Sequence, residues 1–190
     1  MKIAFISPRG SESNQQNNIL NSIYQKLMKI LTFIEIEDVE FMPNLGLLTL
    51  AGLVQGDHEL RYIEEDYVDE STMEPIVFDE NFDLVVLTGV NSQAHRAYEI
   101  SEAFRKRGIY TVMGGLHASL LPEEAKKHVD TVIIGEGEDT FPVFLADFEK
   151  GEAKPYYKSS GEFDLRFAPT PRFDLIHNIT RFNNITVHAT

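Results

Sequence analysis

Gly114-Gly115-Leu116-His117 follows the apolar run Tyr110-Thr111-Val112-Met113, and Gly135-Glu136-Gly137-Glu138 follows Thr131-Val132-Ile133-Ile134 in the same way. Glycine lets a ligand reach main-chain N–H and C=O groups that a Cβ would shield, and it accepts backbone angles barred to other residues. Two such turns at consecutive strand ends, each opening a helix, point to a ligand lying on backbone, because open parallel sheets bind ligands outside the carboxyl ends of their strands. The plainer alternative is a pair of ordinary strand-to-helix turns. His117 stands within reach of a ribose or phosphate oxygen, or else serves as a helix cap or surface residue. Glu136 and Glu138 accept hydrogen bonds from a ligand, or only satisfy the N-terminus of the helix that follows. The acidic run Glu64-Glu65-Asp66, with Asp69-Glu70, reads as a solvated loop. No pair of carboxylates and no Ser/His/Asp set has a spacing suited to hydrolysis, and with no cysteine the chain offers no disulfide, thiolate metal site or cysteine nucleophile.

These residues need a scaffold, and the sequence supplies one by alternation. Lys2 to Ser7, His58 to Glu64, Asp83 to Thr88, Tyr110 to Met113 and Thr131 to Ile134 are short runs of Ile, Val, Leu and aromatics bounded by Gly, Pro, Asp or Asn. Leu84-Val85-Val86-Leu87 and Val132-Ile133-Ile134 are apolar at consecutive positions, as strands covered on both faces must be. Ala94 to Gly108 places Ala94, Ala97, Tyr98, Ile100, Ser101 and Phe104 on one side and Arg96, Glu99, Glu102, Arg105 and Lys106 on the other, an amphipathic helix stopped by Gly108. Leu121-Pro122-Glu123-Glu124 opens another helix, and Thr140 to Lys150 forms a third that ends at Gly151. Right-handed crossovers then predict an α/β fold, a doubly wound parallel sheet of about five strands in the order 2-1-3-4-5, flavodoxin-like in type.

A net charge of −13 argues against nucleic acid as a partner, since that affinity comes mostly from Lys and Arg. No apolar run reaches the roughly 18 residues of a membrane span. Met1-Lys2-Ile3-Ala4-Phe5-Ile6 enters a strand rather than a cleavable leader, so a cytoplasmic protein is expected. Two stretches stand outside the minimal unit. Ser11 to Ile34 is an Asn/Gln-rich loop followed by apolar residues at helical spacing, either a mobile flap or a long first crossover. Ala153 to Arg172 has no clear period, and Phe182 to His188 reads as a strand beginning a further domain.

Taken in order, Pro43-Asn44-Leu45-Gly46-Leu47-Leu48-Thr49-Leu50-Ala51-Gly52-Leu53, Asp83 to Val90, Ala97-Tyr98-Glu99-Ile100 before Arg105-Lys106-Arg107-Gly108, Met113 to Ser119, Leu121 to Ala125 and Gly135 to Glu138 resemble the N-terminal cobalamin-binding domain of class B radical SAM enzymes. Pro169-Thr170-Pro171-Arg172-Phe173-Asp174-Leu175-Ile176 is similar to the linker before their barrel. The resemblance covers nearly the whole chain. It implies a cobalamin-binding domain over 1–151 and a linker over 152–190 leading to a radical SAM barrel, of methyltransferase type, that is absent here. S-adenosylmethionine and a [4Fe–4S] cluster held by CxxxCxxC are implied only for the full-length protein, and this cysteine-free fragment is expected to be inactive alone.

One departure shapes the cofactor expectation. Cobalamin domains of the methionine synthase and mutase type carry DxHxxG after the first strand, and Ser7-Pro8-Arg9-Gly10-Ser11-Glu12 has no such histidine. The resemblance therefore implies cobalamin bound base-off with no protein histidine on cobalt, a state suited to carrying a methyl group. Its nucleotide tail would pass Thr88-Gly89 and Gly114-Gly115, with Asn44-Leu45, Asn91 and Ser92 bordering the corrin. Ser7, Pro8, Val90, His117, Gly135 and Glu136 complete the implied cofactor-binding set, with no catalytic residue and no protein metal ligand. His95 is able to approach the lower corrin face only if it leaves the outward turn of its helix. On this reading Gly115→Val should block binding at little cost in stability. A stand-alone flavodoxin-like or receiver-like module is the alternative, although a receiver needs acids where Ser7-Pro8 and Thr88-Gly89 stand, and a dinucleotide domain needs a GxGxxG that is missing after the first strand.

Overall fold

The computed structural model describes residues 1–10, 43–65, 78–161 and 163–176. Six strands, β1 (Lys2–Ser7), β2 (Glu59–Glu64), β3 (Leu84–Leu87), β4 (Tyr110–Met113), β5 (Thr131–Ile134) and β6 (Tyr156–Lys158), form one sheet in the order β2-β1-β3-β4-β5-β6, every pair parallel. The doubly wound α/β reading holds. β6 extends the expected five-strand order at one edge, from within the stretch read as aperiodic. Its three residues are too short to show an alternation, and its partner β5 rather than its own composition makes it a strand.

Helices cover both faces, and the alternation of side chains along each strand decides which residues meet them. Ala4, Ile6, Val85, Leu87, Met113 and Val132 share one apolar layer with Ala97, Ile100 and Phe104 of α2 (Asn91–Arg105), Ala118 of α3 (Gly115–Leu120) and Ala125 of α4 (Pro122–Ala125). Ile3, Phe5, Leu84, Val86, Val112 and Ile133 share the other with Leu47, Leu48 and Ala51 of α1 (Leu45–Leu53) and Phe141, Phe144 and Leu145 of α5 (Gly137–Glu149). The expected helix around residues 94–108 begins earlier, at Asn91, because the Gln93 side chain turns back to accept the Val90 backbone N–H at 3.1 Å. Its end matches the stop signal: Gly108 takes φ +79° and the chain turns over Phe104 into β4. α5 likewise starts before Thr140, with Glu138 and Asp139 in its first turn where the helix dipole favours acids.

Register gives the carboxyl edge a step. Leu87 pairs with Met113 and Met113 with Val132, so Ile133 and Ile134 carry β5 two residues beyond the level at which β3 and β4 end. The segment after β6 returns across α1, where Arg172 donates its backbone N–H to the Leu48 carbonyl at 3.0 Å and Ile176 is buried in the α1 layer. The polar stretch at 11–34 and the strand expected at 182–188 lie outside the described residues. Among the described residues no helix is long and apolar enough to cross a membrane.

A glycine-walled cleft at the carboxyl edge

The step between β4 and β5 opens into a cleft of about 170 Å³ under the carboxyl ends of the central strands. Its floor is Val86, Leu87, Thr88 and Val112; Gly114 and Gly115 form one wall and Ile133, Gly135, Glu136, Gly137 and Glu138 the other. Gly46, Leu47 and Leu50 of α1 close the third side. Both glycine turns that stood out in the sequence thus meet in one hollow. Thr88, Gly114, Gly115, Gly135 and Glu136 of the expected set line it.

The glycines serve different ends. Gly114 has extended backbone, and a Cβ there would touch only Ile133 at an ordinary 3.6 Å. A Cβ on Gly137 would come within 2.9 Å of the Leu50 Cδ2, so glycine here lets α5 approach α1. Gly115 sits at φ +88°, and its Cβ would lie 2.5 Å from the Thr88 Oγ1 and 3.2 Å from the Gly89 nitrogen. The expectation that Gly115→Val leaves the fold nearly untouched is therefore wrong: the protein's own β3 turn fills that space, and the left-handed backbone adds strain.

The remaining expected residues stand around the cleft, committed to backbone and to one another. Asn44 caps α1, its Oδ1 accepting from the Leu47 N–H at 3.1 Å while its own N–H donates to the Tyr62 hydroxyl at 2.7 Å. Leu45 begins that helix, partly buried. The Ser7 carbonyl accepts from the Glu65 N–H at 2.9 Å, and the Pro8 carbonyl accepts from the Gln93 Nε2 at 2.6 Å. That second bond laces the loop after β1 to the start of α2. Ser92 is exposed beside Gly10, and Val90 is exposed in the turn after β3.

His117 is neither surface residue nor cap. It is 4% exposed, with the Asn91 Oδ1 at 2.8 Å from Nδ1 and the Tyr98 hydroxyl at 2.8 Å from Nε2. Its backbone N–H donates to the Gly89 carbonyl at 3.1 Å. Burial and the Glu124 carboxylate push the Tyr98 hydroxyl up to about 12, so it remains a proton donor across the neutral range. Neither ring nitrogen of His117 is left for a ribose or phosphate. His95, by contrast, stays on the outward turn, 88% exposed and paired with Glu99.

The acidic run is corrected at its two described members. Glu64 is 3% and Glu65 5% exposed. Glu64 accepts from the Tyr62 hydroxyl and from the Asn44 N–H at 3.2 Å. Arg96 of α2 forks onto Glu65, with Nη2 to Oε1 at 2.6 Å and Nε to Oε2 at 3.0 Å, and hydrogen bonding to this carboxylate raises the guanidinium pKa further. Glu64 ends β2 and Glu65 follows it, and the packed α1 and α2 cover both, which a window of charge alone does not reveal. Asp66, Asp69 and Glu70 lie outside the described residues. Among the described residues no cluster of three His, Asp or Glu side chains is placed to hold a metal.

The sequence reading missed Gly46, Leu47 and Leu50 as cleft residues, although Gly46 and Leu50 at i and i+4 share one helix face.

Comparison with known proteins supplies the ligand. The sequence model of the B12 binding domain matches residues 35–145. The chain is 37% identical over 119 residues to the bacteriochlorophyllide d C-8(2)-methyltransferase of Chlorobaculum tepidum, covering 63% of this chain and 25% of that protein. It is 30% identical over 138 residues to the C-12(1)-methyltransferase of the same organism, covering 72% and 29%. An uncharacterized methyltransferase of Pyrococcus horikoshii is 31% identical over 146 residues, covering 72% and 32%. The chain thus spans about a quarter to a third of the length of these curated relatives. With the family's match running from the segment before α1 into α5, and so through every wall of the glycine cleft, this chain belongs to the B12-binding domain family.

Proposed function

We propose that this chain is the cobalamin-holding module of a radical SAM methyltransferase, with cobalamin bound base-off and its nucleotide tail in the glycine cleft. The observation that carries the reading is the meeting of both glycine turns in one slot. At about 170 Å³ the slot is smaller than the roughly 300–1,000 Å³ of ordinary ligand sites, which suits a slender tail and leaves the corrin ring outside, over the strand ends. The residues present fit that tail: apolar Val86, Val112, Ile133 and Leu50 take a flat base, and the open backbone at Gly114 admits it. Glu136 and Glu138 at the far wall accept hydrogen bonds from amide or hydroxyl groups.

The four histidines among the described residues are committed elsewhere, in keeping with a cobalt that takes no ligand from them. His58 bonds the N-terminal amine and Glu149, His117 has both nitrogens engaged, His128 faces Glu102, and His95 points away. When bound, cobalamin supplies methyl carriage between S-adenosylmethionine and the substrate. The chain's part is to grip the tail and present one face of the corrin to a following catalytic domain, with residues 1–151 as the cofactor domain and 152–190 as the connection, whose first part through Ile176 packs back onto that domain as β6 and the cover of α1.

Mixed with hydroxocobalamin and desalted, the purified chain should retain the cofactor with a base-off absorbance spectrum. A base-on spectrum, or no retention, would sink the reading. The longer protein should reveal CxxxCxxC, assemble a [4Fe–4S] cluster and cleave S-adenosylmethionine under reductant, and this cysteine-free chain should do neither.

A further inference from the structure

His117 is a buried imidazole with a direction. The Asn91 Oδ1, 2.8 Å from its Nδ1, has only lone pairs to offer, so Nδ1 carries the proton. Nε2 faces the Tyr98 hydroxyl at 2.8 Å and the Glu124 Oε1 at 3.5 Å, and the hydroxyl donates to it. Tyr98 has a second acceptor, the Glu124 Oε1 at 3.3 Å, but a single proton, and the 2.8 Å contact to His117 is the shorter. The chain of donors runs Tyr98 to His117 to the Asn91 carbonyl oxygen.

Its end is exposed. With the Asn91 Oδ1 held inward, the Nδ2 amide group has two N–H donors and no partner among the described residues. Asn91 opens α2 directly after the β3 turn, and His117 follows the Gly114-Gly115 turn with its backbone bonded to Gly89. The amide therefore stands at the carboxyl edge of the sheet, at the start of the helix that follows the β3 turn. A pair needed only to join α2 to α3 has no use for an exposed amide of fixed orientation.

We propose that the buried Tyr98–His117 pair presets Asn91 as a hydrogen-bond donor to an oxygen acceptor of bound cobalamin, with His117 and Tyr98 as positioning residues. The inference rests on the cobalamin reading above. Cobalamin offers two kinds of acceptor, the amide carbonyls around the corrin and the phosphate of the tail.

The test is titration of the chain with hydroxocobalamin and with dicyanocobinamide, which lacks the nucleotide, alongside an NMR record of the Asn91 side-chain NH2 signals. Asn91→Asp keeps the acceptor for His117 and deletes the donors, so it should leave the melting temperature in place and raise Kd about tenfold. The wild-type NH2 signals should move on saturation, which a purely structural role would not produce. His117→Leu should raise Kd by a similar factor. If that variant does not fold, Asn91→Asp and the NMR shift decide alone. A penalty with both ligands places the acceptor on the corrin, and one with hydroxocobalamin alone places it on the tail. Wild-type affinity in Asn91→Asp, or unmoved NH2 signals at saturation, overturns the proposal while cobalamin binding itself stands. No binding by the wild type defeats the cobalamin reading instead.

Discussion

Gly114→Leu should fold normally and lose cobalamin. Gly114 has extended backbone open to any residue, and its Cβ would meet only Ile133 at van der Waals distance, so the strand-to-helix turn survives the change. The added isobutyl group enters a cleft of about 170 Å³ that Ile133 and Gly114 themselves wall. Overpacking of a filled site costs about 1–3 kcal/mol, roughly 5- to 150-fold in Kd. Its companion is Gly115→Leu, which should lose thermal stability before binding is at issue, because its Cβ collides with the Thr88 Oγ1 and its φ is +88°. Melting curves and hydroxocobalamin retention measured on both separate the two roles. Full retention in a folded Gly114→Leu would remove the tail from the cleft.

Arg96→Ala should cost about 3 kcal/mol, the scale of breaking a buried ion pair from one side. For a chain of this size that is a fall of roughly 6–12 °C in Tm. Glu65 would keep only the Arg9 backbone N–H, at 3.4 Å, inside a packed junction. Arg96 is itself 23% exposed at its side chain, which sets the figure at the lower end of such losses. The double variant Glu65→Gln with Arg96→Met should recover much of the stability, since no charge is then left without its partner. A single-variant loss below about 1 kcal/mol would reduce the pair to a surface contact.

The sheet was legible because its signals are local. Leu84-Val85-Val86-Leu87 is apolar at successive positions, and it is buried on both faces for that reason. The glycine turns were legible as pairs, since consecutive parallel strands carry consecutive turns to the same edge. What the sequence hid is long-range. That Gly115 shelters Thr88 rather than a ligand follows from a backbone angle and from a neighbour in the turn after the preceding strand of the sheet, far off in sequence. That Glu65 is buried depends on Arg96, and that His117 is buried depends on Tyr98 and Asn91, all on a helix that reads as amphipathic whichever strand it covers. α1 hid its cleft face because it is apolar all round, and a helix without a polar face does not say which side meets what.

An all-round apolar helix has to be sheathed twice. The sheet covers one side of α1, and the returning segment at 163–176 covers another, bonded to Leu48 and pressed so near that a Cβ on Gly52 would lie 2.7 Å from the Thr170 carbonyl oxygen. Phe173, Leu175 and Ile176 join the same apolar layer. A protein trimmed after α5 would leave leucines of α1 facing water and would be prone to self-association during purification. A shortened piece meant to keep α1 covered should therefore retain the chain through Ile176 at least.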